Sequence, residues 1–258
     1  MNIINFSKYF VENAEYLSKE LGIPIAYKLE PNKEYIVFSA HDAAKDLLEF
    51  QMRHNVKYVI YQSENIESVY FKSGTNGSTP PSDSRAGAKP RNYYIQLLKW
   101  NKVLNYSAYT ATKMMELYNI STAGYFQFNY KKMYSHKPRD IDLLFFGTMT
   151  QKRYDILKEI QNKFTDLKIE IVGDVFGDAL TQLLLRTEYV INISAYDNSV
   201  LETHRINKAL SCGCYVISNY SSDTKMNEKY KEYVYFCGRT LSDYIEMVKI
   251  ITPQNLTR

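Results

Sequence analysis

The chain has 258 residues, of which 45% are hydrophobic and 23% charged, with a formal net charge of +4. That length suits one large domain or two small ones, and that composition belongs to a soluble globular protein. So slight a positive balance makes nucleic acid an unexpected partner but suits an anionic ligand, and no apolar run is long enough to cross a bilayer.

The opening stretch, MNIINFSKYFVENAEYL, spaces its apolar residues as a helix does and lacks a signal-peptide core. The expected address is therefore the cytosol, or the host cytoplasm if the chain is virus-encoded. A helix near Phe6–Glu20 precedes strands expected at Ile23–Lys28, Tyr35–Phe38, Tyr58–Tyr61, Val103–Tyr106 and Tyr125–Phe128. Helices fit Ala43–His54, Tyr93–Trp100 and Thr110–Tyr118. Between them, Lys72–Asn92 is rich in Gly, Ser and Pro and cannot bury a core, so it reads as a surface loop or as a lid over an acceptor. Lys131–Arg139 is polar, carries a proline and reads as a linker between an N-terminal domain, 1–130, and a C-terminal one, 140–258.

The second half alternates more cleanly. Strands are expected at Ile141–Phe146, Ile169–Val172, Tyr189–Ile193, Tyr215–Ile217 and Tyr233–Phe236. Helices fit near Lys152–Phe164, Phe176–Arg186, Val200–Ser211, Asp223–Lys231 and Leu241–Ile251. Short β-branched strands alternating with longer helices predict βαβ units and a doubly wound, Rossmann-like parallel sheet.

Three cysteines, two of them in the pair Cys212-x-Cys214, argue for reduced buried thiols rather than a disulfide framework or a zinc site. Asp140-Ile141-Asp142 is a D-x-D, but it precedes a strand and reads as a solvated strand entry. No Mg²⁺ or Mn²⁺, and no other cofactor, is therefore expected. There is neither a G-x-x-x-x-G-K-[ST] nor a G-x-G-x-x-G, so an ATPase loop and a nicotinamide fingerprint are both missing.

Ligands of open parallel sheets bind at the carboxyl ends of strands, which directs attention to the residues that follow each strand. Gly147-Thr148-Met149-Thr150 leads into a helix opening with Gln151-Lys152-Arg153. A glycine there permits close backbone approach, and the helix N-terminus and Arg153 suit phosphate. The alternative is an ordinary turn capped by Thr150. Further on, Glu202 and Arg205 stand three apart near a helix start, so a carboxylate for ribose hydroxyls and a guanidinium for diphosphate share a face. Ser199-x-x-Glu202 equally fits a capping box, with Glu202 serving only the backbone. Among first-half residues at strand ends, Glu64, His41 and Asp42 are candidate bases; Asp42 also suits the N-cap of the following helix.

The segment LETHRINKALSCGCYVIS resembles the donor-site segment of GT-B glycosyltransferases, and DIDLLFFGTMTQKRYDIL and IEIVGDVFGDALTQLLLRTEYVINIS resemble their preceding segments in the same order, across Asp140–Val234. YVIYQSENI and KVLNYSAYTATKMMELYNI are similar, less specifically, to N-terminal segments of viral and bacterial sugar transferases. The resemblance implies an α/β chain of two Rossmann-like halves facing a cleft. It implies sugar transfer from a nucleotide-sugar to a hydroxyl of a glycan or glycoprotein, without a metal. Glu202 would bind the donor ribose; Gly147, with its neighbour Thr148, and Arg153 and Arg205 would handle the diphosphate; Gly173, Asn192 and Tyr196 would complete the donor pocket. Glu202→Ala would then abolish turnover and leave the melting temperature nearly unchanged. The second acidic residue of many retaining members falls on Leu210 here. That departure keeps open a catalytically silent nucleotide-sugar-binding protein, and a nucleotide-sugar epimerase is the other alternative.

Overall fold

The computed structural model describes residues 1–63, 89–134, 138–195 and 199–251. The chain divides into two compact units, Met1–Gln127 and Phe128–Arg258, each built on a five-stranded parallel sheet.

In the first unit, β1 (Asn2–Asn5), β2 (Glu34–Phe38), β3 (Lys57–Gln62), β4 (Lys102–Asn105) and β5 (Gly124–Tyr125) lie side by side in chain order. Their connections carry α1 (Val11–Leu21), α2 (Ala44–Arg53), α3 (Lys89–Trp100) and α4 (Ala108–Tyr118). The strand expected at Ile23–Lys28 shrinks to one parallel rung, Ile3 against Ile25, outside β1. Pro24 has no N–H and still accepts from the Ile3 N–H at 2.8 Å, but it cannot extend a ladder. That rung nevertheless places chain on both sides of β1, which is where strand order reverses. β1 lies ahead of the expected helix, where no strand was expected: Ile3 and Ile4 are buried in the sheet, and the helix itself begins only at Val11, after a 3-10 turn over Lys8–Phe10. Of the expected loop Lys72–Asn92, the part 72–88 lies outside the described residues, and 89–92 form the first turn of α3.

The core explains why these segments pair. Val37, Ile60 and Val103 form an apolar row across neighbouring strands, covered by Leu47 and Leu48 of α2, Leu97 and Leu98 of α3 and Met114 of α4. The opposite face is aromatic: Phe10 stacks on Phe38, which packs on Tyr61, with ring centroids 6.3 and 5.1 Å apart.

The second unit contains β6 (Ile141–Phe146), β7 (Ile169–Val172), β8 (Thr187–Asn192), β9 (Tyr215–Asn219) and β10 (Val234–Cys237), in the order β10-β9-β8-β6-β7. Its helices are α5 (Gln151–Lys163), α6 (Gly177–Leu185), α7 (Thr203–Ser211), α8 (Thr224–Tyr230) and α9 (Leu241–Ile251). Residues of α6, α7 and α8 pack with Leu144, Val190 and Val216 on one face, and residues of α5 and α9 with Phe145, Ile191 and Ile217 on the other. Helices cover both faces, so the sheet is doubly wound, and its order turns back between β6 and β8. A sheet buried on both sides needs apolar residues at successive positions, which is why β6 reads Leu-Leu-Phe-Phe.

At the amino end of β6, Asp140 accepts from Lys168 at 2.8 Å and from the Arg186 Nε at 2.7 Å, while Asp142 accepts from the Lys168 N–H at 2.7 Å. These hydrogen bonds, that of Arg186 foremost, hold the Asp140 carboxyl well below the usual carboxylate range. The D-x-D thus ties strand entry to neighbouring segments. Among the described residues no helix is long and apolar enough to cross a membrane.

Candidate functional site

Ligand sites of doubly wound sheets lie at the carboxyl ends of the strands where order reverses, and in the second unit those strands are β6 and β8. The turn after β6 begins at Gly147, whose φ of +133° is one that side-chain-bearing residues avoid. Thr150 then caps α5: its hydroxyl accepts from the Arg153 N–H at 3.3 Å. The first turn of that helix aims its remaining N–H groups at the same end of the sheet.

Arg153 is 3% exposed. A guanidinium so deep needs a partner at each of its nitrogens to offset the burial. Its Nε donates to the Ile193 carbonyl at 2.7 Å, Nη1 to the Thr148 carbonyl at 2.7 Å, and Nη2 to Glu202 Oε1 at 2.9 Å. The arginine therefore straps the β6–α5 turn to the end of β8. The Phe145 ring lies 5.5 Å from its guanidinium carbon and adds a cation–π contact.

Arg205 comes to the same place from α7. Its Nη1 donates to Asn192 Oδ1 at 2.8 Å and forms an ion pair with Glu202 Oε2. Its guanidinium carbon is 5.9 Å from the Phe145 ring and 5.6 Å from that of Phe146. A Cβ added to Gly147 would come within 3.2 Å of that carbon, so the glycine is required by space as well as by backbone conformation. Asn192 donates in turn to the Ser218 hydroxyl at 2.9 Å. Its amide is thus committed to positioning the arginine.

Glu202 is the N-cap residue of α7, which starts at Thr203, and makes no side-chain cap bond. The helix begins three residues later than the apolar periodicity suggests, so Ser199 is not its N-cap and the Ser199–Glu202 capping box does not form. Both carboxylate oxygens instead meet guanidiniums. Burial pushes the Glu202 carboxyl up, but Arg205 and then Arg153 outweigh it and the net shift is downward. Burial, with Arg153 adding to it, draws Arg205 down to about 10 against the pull of Glu202, so it remains a cation at neutral pH. Two cations and one anion leave the cluster with one net positive charge. This geometry overturns the expectation that Glu202→Ala would spare stability, because that substitution strands two buried guanidiniums side by side.

Gly173 follows β7, which lies on the side of β6 away from β8, and a Cβ there would meet nothing within 4 Å. Tyr196 and Glu64 lie outside the described residues. In the first unit, His41 Nε2 and Asp42 Oδ1 are 3.2 Å apart just after β2. The N-cap of α2 is Ala43, without a side-chain bond, so Asp42 faces the histidine rather than capping the helix.

Some participants were not anticipated. Asn219 Oδ1 accepts from the Ser194 N–H at 2.9 Å and from the Tyr244 hydroxyl at 2.8 Å. His204, beside the cluster, is pushed down to about 4 by burial, with Glu202 opposing and Arg205 assisting. The available signal was the polar residue ending an otherwise apolar strand, as in Val-Ile-Asn-Ile-Ser and Val-Ile-Ser-Asn.

No protein-family model matches the chain, and neither does any curated protein. Solved structures do. Sucrose-phosphate synthase from Thermosynechococcus elongatus superposes with a TM-score of 0.56 at 12% identity, over 95% of this chain and 68% of that one. HepE from Anabaena, solved in complex with UDP, gives 0.51 at 10% identity over 98% and 91%. A glycosyltransferase from Rickettsia africae gives 0.51 at 12% identity over 97% and 87%. Two doubly wound parallel-sheet units in sequence, matched along nearly the whole chain, give this protein the fold of the GT-B glycosyltransferases.

Proposed function

We propose that the protein transfers a sugar from a nucleoside-diphosphate donor to a hydroxyl of a glycan or glycoprotein. The observation that carries this reading is the Arg153–Glu202–Arg205 cluster at the reversal point of the second sheet, one charge positive overall. In the proposal, the donor diphosphate lies against Gly147, the first turn of α5 and the two guanidiniums. As the glycosidic bond breaks, negative charge grows on the leaving diphosphate, and cations already fixed in place stabilise it without reorganising. Protein cations then do the work of a divalent metal. Glu202 holds both arginines in position and keeps oxygen lone pairs for the donor ribose.

For the acceptor, the proposal assigns proton removal to His41, whose imidazole is held by Asp42. A carboxylate behind a histidine fixes the ring and favours the imidazolium that forms. The resemblance to glycosyltransferase structures, one of them holding UDP, supports the donor class.

The test is a panel of nucleotide-sugars. A ligand at about 100 times its Kd adds roughly 2.7 kcal/mol of stability, so the true donor should raise the melting temperature visibly. Nucleoside diphosphate should then be released in step with glycosylation of an acceptor. No shift and no turnover across the panel would end the proposal. Conversion of the donor without acceptor would indicate an epimerase, and binding without transfer a silent receptor.

A further inference from the structure

Ser194 follows β8 by two residues and is 4% exposed, yet its hydroxyl has no hydrogen-bond partner among the described residues. Buried hydroxyls are nearly always paired in folded proteins, and one left over calls for an explanation. Its backbone is not at fault: the Ser194 N–H is taken by Asn219 Oδ1 at 2.9 Å, and Asn219 is itself held by the Tyr244 hydroxyl at 2.8 Å. The serine is therefore fixed through its backbone by a network that, among the described residues, does not engage its side chain.

Strand alternation tells where that side chain lies. Tyr189, Ile191 and Ile193 pack on the face covered by α5 and α9, whereas Val190 packs on the face that carries α7. Asn192, the last residue of β8, belongs to the second set, since it accepts from Arg205 of α7 at 2.8 Å, and the same alternation, continued past the strand end by the buried Ile193 on the α5 and α9 face, directs Ser194 toward the α7 face. The intervening Ile193 carbonyl is bound by the Arg153 Nε at 2.7 Å. A hydroxyl with no partner among the described residues thus directly follows Asn192 and Ile193, the two residues to which the arginines attach, beside a cluster carrying net positive charge.

We propose that Ser194 is a donor-binding residue whose hydroxyl donates to an anionic oxygen of the diphosphate. This rests on the nucleotide-sugar reading above and adds a specific contact to it. A neutral donor next to two cations adds hydrogen-bond geometry without added charge, so it would select for the phosphate's position.

The test is Ser194→Ala, because loss of an unpartnered hydroxyl and loss of a structural one have opposite signs. UDP, GDP and ADP, with the parent nucleosides as controls, would be titrated calorimetrically into wild type and S194A, and both proteins melted without ligand. The expected result is a tenfold or greater weakening for the diphosphate that wild type binds, an unchanged response to its nucleoside, and a melting temperature at or above that of wild type. Equal diphosphate affinity in the two proteins overturns the inference and leaves the donor-site reading intact. A lower melting temperature, or failure of S194A to fold, overturns it too, since the hydroxyl would then have an internal partner. Absence of any diphosphate binding by wild type removes the donor-site reading and this contact together.

Discussion

A Cβ built on Gly147 would lie 2.5 Å from Nη2 of Arg205. The backbone of the β6–α5 turn and the guanidinium of α7 are thus in direct contact, with no room for a methyl group between them. Gly147→Ala meets two penalties, a φ of +133° and this overlap, and the strain alone is worth about 1–3 kcal/mol. The expected outcome is a lower denaturation midpoint together with loss of most diphosphate affinity. Wild-type midpoint and affinity in that variant would show that the turn moves freely past Arg205.

Glu202→Gln keeps the shape of the side chain and removes its charge. Breaking a buried ion pair on one side costs about 3–5 kcal/mol because the partner charges stay behind, and here two guanidiniums stay behind. Urea denaturation should show a loss of that order. A loss below about 1 kcal/mol, as exposed pairs give, would mean that the arginines find other partners.

The cluster also gives stability an acid limb. His204 titrates near 6.5 when unfolded and is pushed down to about 4 by burial in the fold, so the unfolded chain takes up a proton that the fold refuses. The neutral-imidazole contribution is complete above pH 6.5 and is lost as the pH falls toward 4, amounting to on the order of 3 kcal/mol at about 1.4 kcal/mol per pH unit. Glu202, whose carboxyl is lowered against a usual value of 4.5, adds a second loss that begins below that pH. Melting temperatures measured from pH 7.5 to 4 should fall in wild type, and the part between 6.5 and 4.5 should flatten in His204→Gln. An unchanged slope in that variant would assign the acid limb elsewhere.

On the first unit, His41→Gln should lower kcat by about 10²–10⁴-fold, the usual worth of a general base, with donor affinity unchanged. Asp42→Asn should lower it less, since the imidazole then loses the carboxylate 3.2 Å away that holds it. Turnover within a few-fold of wild type in His41→Gln would pass the role of base to another residue.

The second sheet was legible from the sequence because its physics is local. Strands buried on both faces must be apolar throughout, and runs such as Ile141–Phe146 admit few other readings. The positions of Gly147 and Arg153 followed from the same pattern, being the first residues past a strand and the first turn of a helix. The start of α7 was not legible: the apolar spacing of Val200 and Leu201 continues the helical period, whereas Glu202 is held out of the helix by Arg153, 49 residues earlier in the chain. β1 escaped for a related reason. Four residues carry too little periodicity to separate a strand from a helix start, and only pairing with β2 decides it.

By itself the sequence determined the alternation of strands and helices, the parallel sheets and the strand ends at which a ligand would be met, because hydrophobic period and turn chemistry act within a few residues. Only the tertiary structure decided that Glu202 closes an ion-pair bridge between Arg153 and Arg205 rather than a capping box, that Asn192 positions an arginine, and that the Ser194 hydroxyl has no partner among the described residues. Those outcomes depend on which distant groups share a low-dielectric space, where a buried charge must find a partner, and no local pattern encodes which partner arrives.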